Sequence, residues 1–147
     1  MIKNYYSNFL VFLQFGLIGV MLFSSSLSNL LSLSAIIIFI VGASIGIWAL
    51  QHNRLGNFNI RPDLREGSMF IDTGIYKLIR HPMYTSVILM AFAIFVSTPT
   101  WWEGTLFLLL IVVLLLKATK EEKLWMRHDK RYKEYKSKTK YFIPYIL

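Results

Sequence analysis

The chain has no cysteine and only eight Asp and Glu residues among its 147. The first absence excludes disulfides, thiolate metal sites and a cysteine nucleophile, and leaves the redox compartment open. The second leaves sixteen Lys and Arg residues largely unopposed, for a formal net charge of +8. The Walker phosphate loop, the Gly-x-Gly-x-x-Gly turn and the Gly-x-Ser-x-Gly elbow are also missing, so a soluble nucleotide-binding fold is not indicated. The three histidines, His52, His81 and His128, form no metal-ligand spacing, and no metal site is expected.

What the chain has in quantity is apolar sequence: 55% of residues are hydrophobic and 16% charged. A soluble domain of this length has too small a core to bury so much. Apolar runs cover residues 9–23, 30–50, 84–96 and 101–116. A transmembrane helix needs about 20 residues, with a lower limit of about 17. The second run meets this; the others reach the interface through flanking Tyr, Trp and Ser, and Trp101-Trp102 suits an aromatic belt. Lys3 before the first run has the look of a signal peptide, but the second run follows too closely to leave a mature soluble domain. The expectation is one all-α, polytopic membrane domain over residues 1–147, with four transmembrane helices.

Charge predicts the topology. The turns at residues 24–29 and 97–100 contain no Lys or Arg, whereas Lys3, the loop with Arg54, Arg61, Arg65, Lys77 and Arg80, and the tail are basic. The positive-inside rule puts these three on the cytoplasmic side. Two hairpins follow, with both termini cytoplasmic, a cytoplasmic loop and an amphipathic C-terminal helix. Ten of the sixteen cations lie from Lys117 onward, beside apolar runs, which fits membrane lipid headgroups as partner and not nucleic acid. Gly42 and Gly46 have the small-xxx-small spacing of close helix packing.

Two clusters could carry chemistry. In Gly74-Ile75-Tyr76-Lys77-Leu78-Ile79-Arg80-His81-Pro82-Met83-Tyr84, Pro82 suits the first turn of a helix and His81 its cap. That helix start attracts anions, and Arg80 adds a planar fork for a carboxylate or phosphate. The competing reading is a helix anchored at the headgroups. In the second cluster, a helix continued past Leu116 puts Lys117, Glu121, Trp125, His128, Tyr132 and Tyr135 on one stripe, with Glu122 a third of a turn away. Its plain alternative is an ordinary Lys117–Glu121 pair.

In order, Gly74-Ile75-Tyr76, Arg80-His81-Pro82-Met83-Tyr84, Glu121-Glu122, Tyr132-Lys133-Glu134-Tyr135 and Phe142-Ile143-Pro144 resemble the isoprenylcysteine carboxyl methyltransferase family and the related phospholipid methyltransferases. The likeness covers about half the chain, from the Arg61 loop onward. It implies a membrane-embedded enzyme that uses S-adenosylmethionine and methylates a lipidic or prenylated acceptor on a carboxylate or an amine. Tyr76, His81, Pro82, Tyr84 and Glu121 would contact the cofactor, and Ser68, Met69, Phe70 and Ile71 would line it. Arg80 would meet its carboxylate, Glu122 would support the site, and Lys117 would face the acceptor. The chain departs from the pattern with Ser86 where the family usually has glycine, and with Lys117 where the eukaryotic enzymes often have Arg. An NADPH-dependent sterol-type membrane reductase is the alternative, because it shares an Arg-His-Pro-x-Tyr element. It usually carries Gly-Glu soon after, and here Thr85-Ser86-Val87 follows. A non-catalytic membrane adaptor with a lipid-binding tail is the third reading.

Overall fold

The computed structural model describes residues 5–53, 59–64 and 67–144. Lys3, Arg54 and Arg65, three of the charges behind the predicted topology, lie outside the described residues. The elements are α1 (Tyr5–Ser24), α2 (Leu27–Leu30), α3 (Leu33–His52), a 3₁₀ turn (Gly74–Lys77), α4 (Pro82–Ser97), α5 (Trp101–His128) and α6 (Tyr132–Lys138). No strand occurs among the described residues; one isolated bridge joins Ile79 to Lys140.

Three of these helices, α1, α3 and α5, are long and apolar enough to cross a membrane. α4 has 16 residues, about 24 Å against a hydrocarbon core of about 30 Å, so the length criterion supports three spans where four were expected. α5 has 28 residues, about 42 Å, and so extends well beyond one core thickness as a continuous helix.

The long helices expose large apolar side chains as well as burying them. The buried face of α1 is Ser7, Leu10, Gln14 and Met21, and Phe9, Phe12 and Phe23 point outward. Apolar side chains cost nothing in lipid, so the interior is free to hold the polar ones. On α3 the buried residues are Ala35, Gly42, Gly46 and Ala49, all small and on one face. They admit α4 so closely that a Cβ on Gly42 would sit 3.0 Å from Leu89 Cβ, and one on Gly46 would sit 2.6 Å from Ser86 Oγ. α3 packs most extensively on α4, and α1 on α5. α1 and α3, separated along the chain only by the short α2, both border a cavity.

The turns follow from local chemistry. Ser26 caps α2 by accepting the Asn29 N–H, and Thr100 caps α5 by accepting that of Glu103 at 3.2 Å. The Glu103 carboxylate, fully buried, accepts the hydroxyl of Ser24 and so ties the end of α1 to the start of α5. Gly74 has φ +58°, and its missing side chain leaves room for the His52 ring, which locks the 3₁₀ turn against the end of α3.

Candidate active site

Pro82 occupies the first turn of α4 and His81 is its cap residue, as the spacing predicts. The His81 carbonyl accepts the N–H groups of Tyr84 and Thr85, both at 3.0 Å. The strand-like approach to this cap is fixed from outside. Arg80 N–H donates to the Lys140 carbonyl at 2.8 Å, His81 N–H to that of Tyr141 at 3.2 Å, and Thr85 Oγ1 to that of Phe142 at 2.8 Å. The C-terminal segment thus closes over the start of α4.

The two adjacent acids at the end of α5 diverge. Glu121 accepts the hydroxyl of Tyr84 and lies 3.6 Å from His81 Nδ1. Glu122 is buried and takes three cationic partners: Arg80 Nε at 2.6 Å, Lys136 Nζ at 2.6 Å and His81 Nε2 at 3.3 Å. His81 therefore lies between two carboxylates, one near each ring nitrogen. Burial alone would lower its pKa, but the hydrogen bonds and charges of Glu121 and Glu122 outweigh it, and the net shift is upward. Burial, then the charge of Glu121, push the Tyr76 phenol up to about 12, so it stays a neutral donor. Burial raises Tyr132 and Tyr135 as well.

A cavity of about 740 Å³ brings the predicted residues together. Ser68, Met69, Phe70, Ile71, Tyr76, Arg80, His81, Pro82, Tyr84, Lys117 and Glu121 all border it. Of the expected set only Glu122 does not; it stands behind the wall and holds Arg80 and His81. The guanidinium of Arg80 is spent largely on Glu122 and on the carbonyls of Lys136 and Thr139, so it braces the wall as well as bordering the cavity.

The stripe read from the sequence is broken by the turn at residues 129–131. Lys117, Glu121 and Trp125 are on α5, Tyr132 and Tyr135 on or at the start of α6, and all five still border the cavity. His128 does not; it is exposed, with its ring edge-on to Trp125 at 5.7 Å. Phe70 is edge-on to Trp125, Tyr132 and Tyr135, with centroids 5.9, 5.6 and 4.8 Å away. An aromatic wall results.

Lys117 is 1% exposed and has no carboxylate within 4.0 Å among the described residues, so the plain pair with Glu121 does not form. Its Nζ donates to Gln14 Oε1 at 2.5 Å and lies 5.2 Å from the centre of the Tyr84 ring. Gln14 is a site-lining residue that the motifs missed; its signal was a lone amide in an apolar run. Asn53, Asn59 and Asp63 also border the cavity, and nothing in their spacing marked them. Asp63 takes Lys120 Nζ and Ser7 Oγ, each at 2.8 Å, and so ties its loop to α5 and α1. From Lys117 the cavity runs on between α1 and α3, where Phe15, Ile18, Ile36, Phe39 and Ile40 give it an apolar arm.

Among the described residues no group of His, Asp and Glu could hold a metal ion. No curated protein matches the chain significantly. The profile of the phospholipid methyltransferase family matches residues 30–134, well over half of the chain, and takes in the first cluster and the second as far as Tyr132. The match and the membrane-helix architecture agree with the ordered motifs read from the sequence: this chain belongs to the phospholipid methyltransferase family.

Proposed function

We propose that the protein is an S-adenosylmethionine-dependent membrane methyltransferase acting on a lipidic or prenylated acceptor. The observation that carries this reading is a cavity with a polar, aromatic end at His81 and Glu121 and an apolar arm between α1 and α3. Its volume of about 740 Å³ lies within the range of roughly 300–1,000 Å³ usual for small-molecule sites.

The residues present fit the cofactor. Glu121 offers an acceptor for ribose hydroxyls or an ammonium, Arg80 a cation for a carboxylate, and the Phe70–Trp125–Tyr132–Tyr135 cluster a surface for a flat base. Tyr76, His81, Pro82 and Tyr84 complete that end, with Ser68, Met69 and Ile71 along the loop. When bound, S-adenosylmethionine would supply an electrophilic methyl group, passed in line to an acceptor lone pair as the S–CH3 bond breaks and S-adenosylhomocysteine leaves as the neutral thioether. The chain's part is to hold both reactants in register and exclude water. A carboxylate acceptor needs no base, and an amine must first lose a proton. Lys117, at the junction of the polar end and the apolar arm, faces the acceptor's head. An ammonium with only neutral partners favours an anion there.

The same reading makes α4 the fourth crossing, in two hairpins with both termini cytoplasmic, so that the cofactor arrives from water and the acceptor from lipid.

Calorimetric titration tests the assignment. His81→Ala and Glu121→Ala should each weaken S-adenosylmethionine binding roughly ten- to a hundred-fold, the loss of one charged hydrogen bond of about 1.5–3 kcal/mol. Unchanged binding in both variants, or tight binding of NADPH by the native protein, overturns it.

A further inference from the structure

The outward face of α5 changes character along its length. Leu109, Val112, Leu116, Thr119, Lys123 and Arg127 fall within an arc of about 100° on the helix, and all six are exposed. The first three are 49%, 51% and 44% exposed, the signature of a face turned to lipid tails. Lys123 lies about 10 Å and Arg127 about 16 Å beyond Leu116 along the axis, the depth at which headgroups follow hydrocarbon. Lys117 and Glu121 point from another side of the same helix into the cavity, so this stripe belongs to a different surface.

Among the described residues neither cation lies within 4.0 Å of a carboxylate. At three and four residues either side of Lys123 stand Thr119, Lys120, Met126 and Arg127; around Arg127 stand Lys123, Leu124, Lys130 and Arg131. Like charges at i,i+4 repel. The neighbouring carboxylates are engaged elsewhere, Glu122 with Arg80, His81 and Lys136, and Asp129 with Arg131 at 2.6 Å. We infer that this stripe is a docking face for an anionic phospholipid. Its acyl chains lie along Leu109, Val112 and Leu116, and its phosphate and acidic headgroup meet Lys123 and Arg127. Arg127 can grip a phosphate through two parallel N–H bonds, and Lys123 adds a point charge one turn deeper.

The inference is independent of methyl transfer, and its test reads lipid and not activity. The native chain is reconstituted in phosphatidylcholine vesicles with spin-labelled phosphatidylglycerol or spin-labelled phosphatidylcholine, and the motionally restricted lipid is measured. The anionic label should be preferred about fivefold or more, as expected from roughly one surface cation's attraction or better, and salt should reduce the preference. Lys123→Gln/Arg127→Gln should bring it close to one. Lys133→Gln/Lys140→Gln, which removes the same charge away from the stripe, should keep most of it. Native preference in the first double variant, or equal loss in the second, overturns the assignment.

Discussion

Lys117 Nζ meets Gln14 Oε1 at 2.5 Å, joining α5 to α1 across 103 residues of chain in a buried setting. This contact, and not a pair with Glu121, is what accommodates the ammonium. Gln14→Leu should therefore cost several kcal/mol, because it strands a buried charge, a loss of about 3–5 kcal/mol where such partners are removed. Lys117→Met leaves only a neutral amide unpaired, about 1–3 kcal/mol. The double variant should be more stable than Gln14→Leu alone, as thermal unfolding in detergent will show. In assays, Lys117→Met should raise the acceptor KM or lower turnover while cofactor affinity stays nearly unchanged. Equal damage to both would make Lys117 structural.

His81 lies between Glu121 and Glu122 and has its pKa raised above the ordinary 6.5. The folded state therefore holds the proton more tightly than the unfolded state. That contribution to stability is complete below about 6.5 and disappears as pH rises through the higher folded-state pKa. The midpoint of thermal unfolding should fall over this window in the native protein and change less in His81→Gln. Parallel curves would show that the imidazole gains no proton on folding.

Gly46 and Ser86 are fitted to each other, since a Cβ on the first would lie 2.6 Å from the hydroxyl of the second. Gly46→Ala should destabilise by about 1–3 kcal/mol, the usual cost of overpacking. Adding Ser86→Gly removes the obstruction and should recover much of the loss. Failure of the second change to rescue the first, measured by unfolding in detergent, would mean that this contact does not set the spacing of α3 and α4.

The native chain has no cysteine, so single cysteines report topology without background. Placed at Ser26 or Thr98 they should react with an impermeant thiol reagent on intact cells, and at Ser137 only after permeabilisation. Labelling of Ser137 from outside would reverse the proposed orientation.

Helix placement was legible in the sequence because it depends on local facts. The apolar runs, Pro82 at a helix start and the turn at residues 24–29 each act through nearest neighbours or through the solvent the segment prefers. The clusters around His81 and Glu121 were legible as ordered motifs, and the structure places them on one cavity. The fourth span was less so. Run length alone does not say where a helix ends, and α4 stops at 16 residues.

Everything that required distant segments to meet was decided by packing. Glu121 and Glu122 are identical in local terms, yet one borders the cavity and the other holds Arg80, His81 and Lys136 behind it. A rotation of 100° about the helix axis separates their directions, and only the position of the α4 start and of the C-terminal segment assigns each direction a partner. Gln14 read as a flaw in an apolar run, and its meaning came from Lys117 on a helix far along the chain. In lipid an apolar face carries no instruction about which neighbour it meets; small residues and buried polar pairs supply that instruction, and they act only when both halves are in place. The sequence by itself thus determined a bundle of apolar helices and the two polar clusters that it brings to one cavity. The tertiary structure decided which acid lines the site, what holds Lys117, and that the cavity extends between α1 and α3.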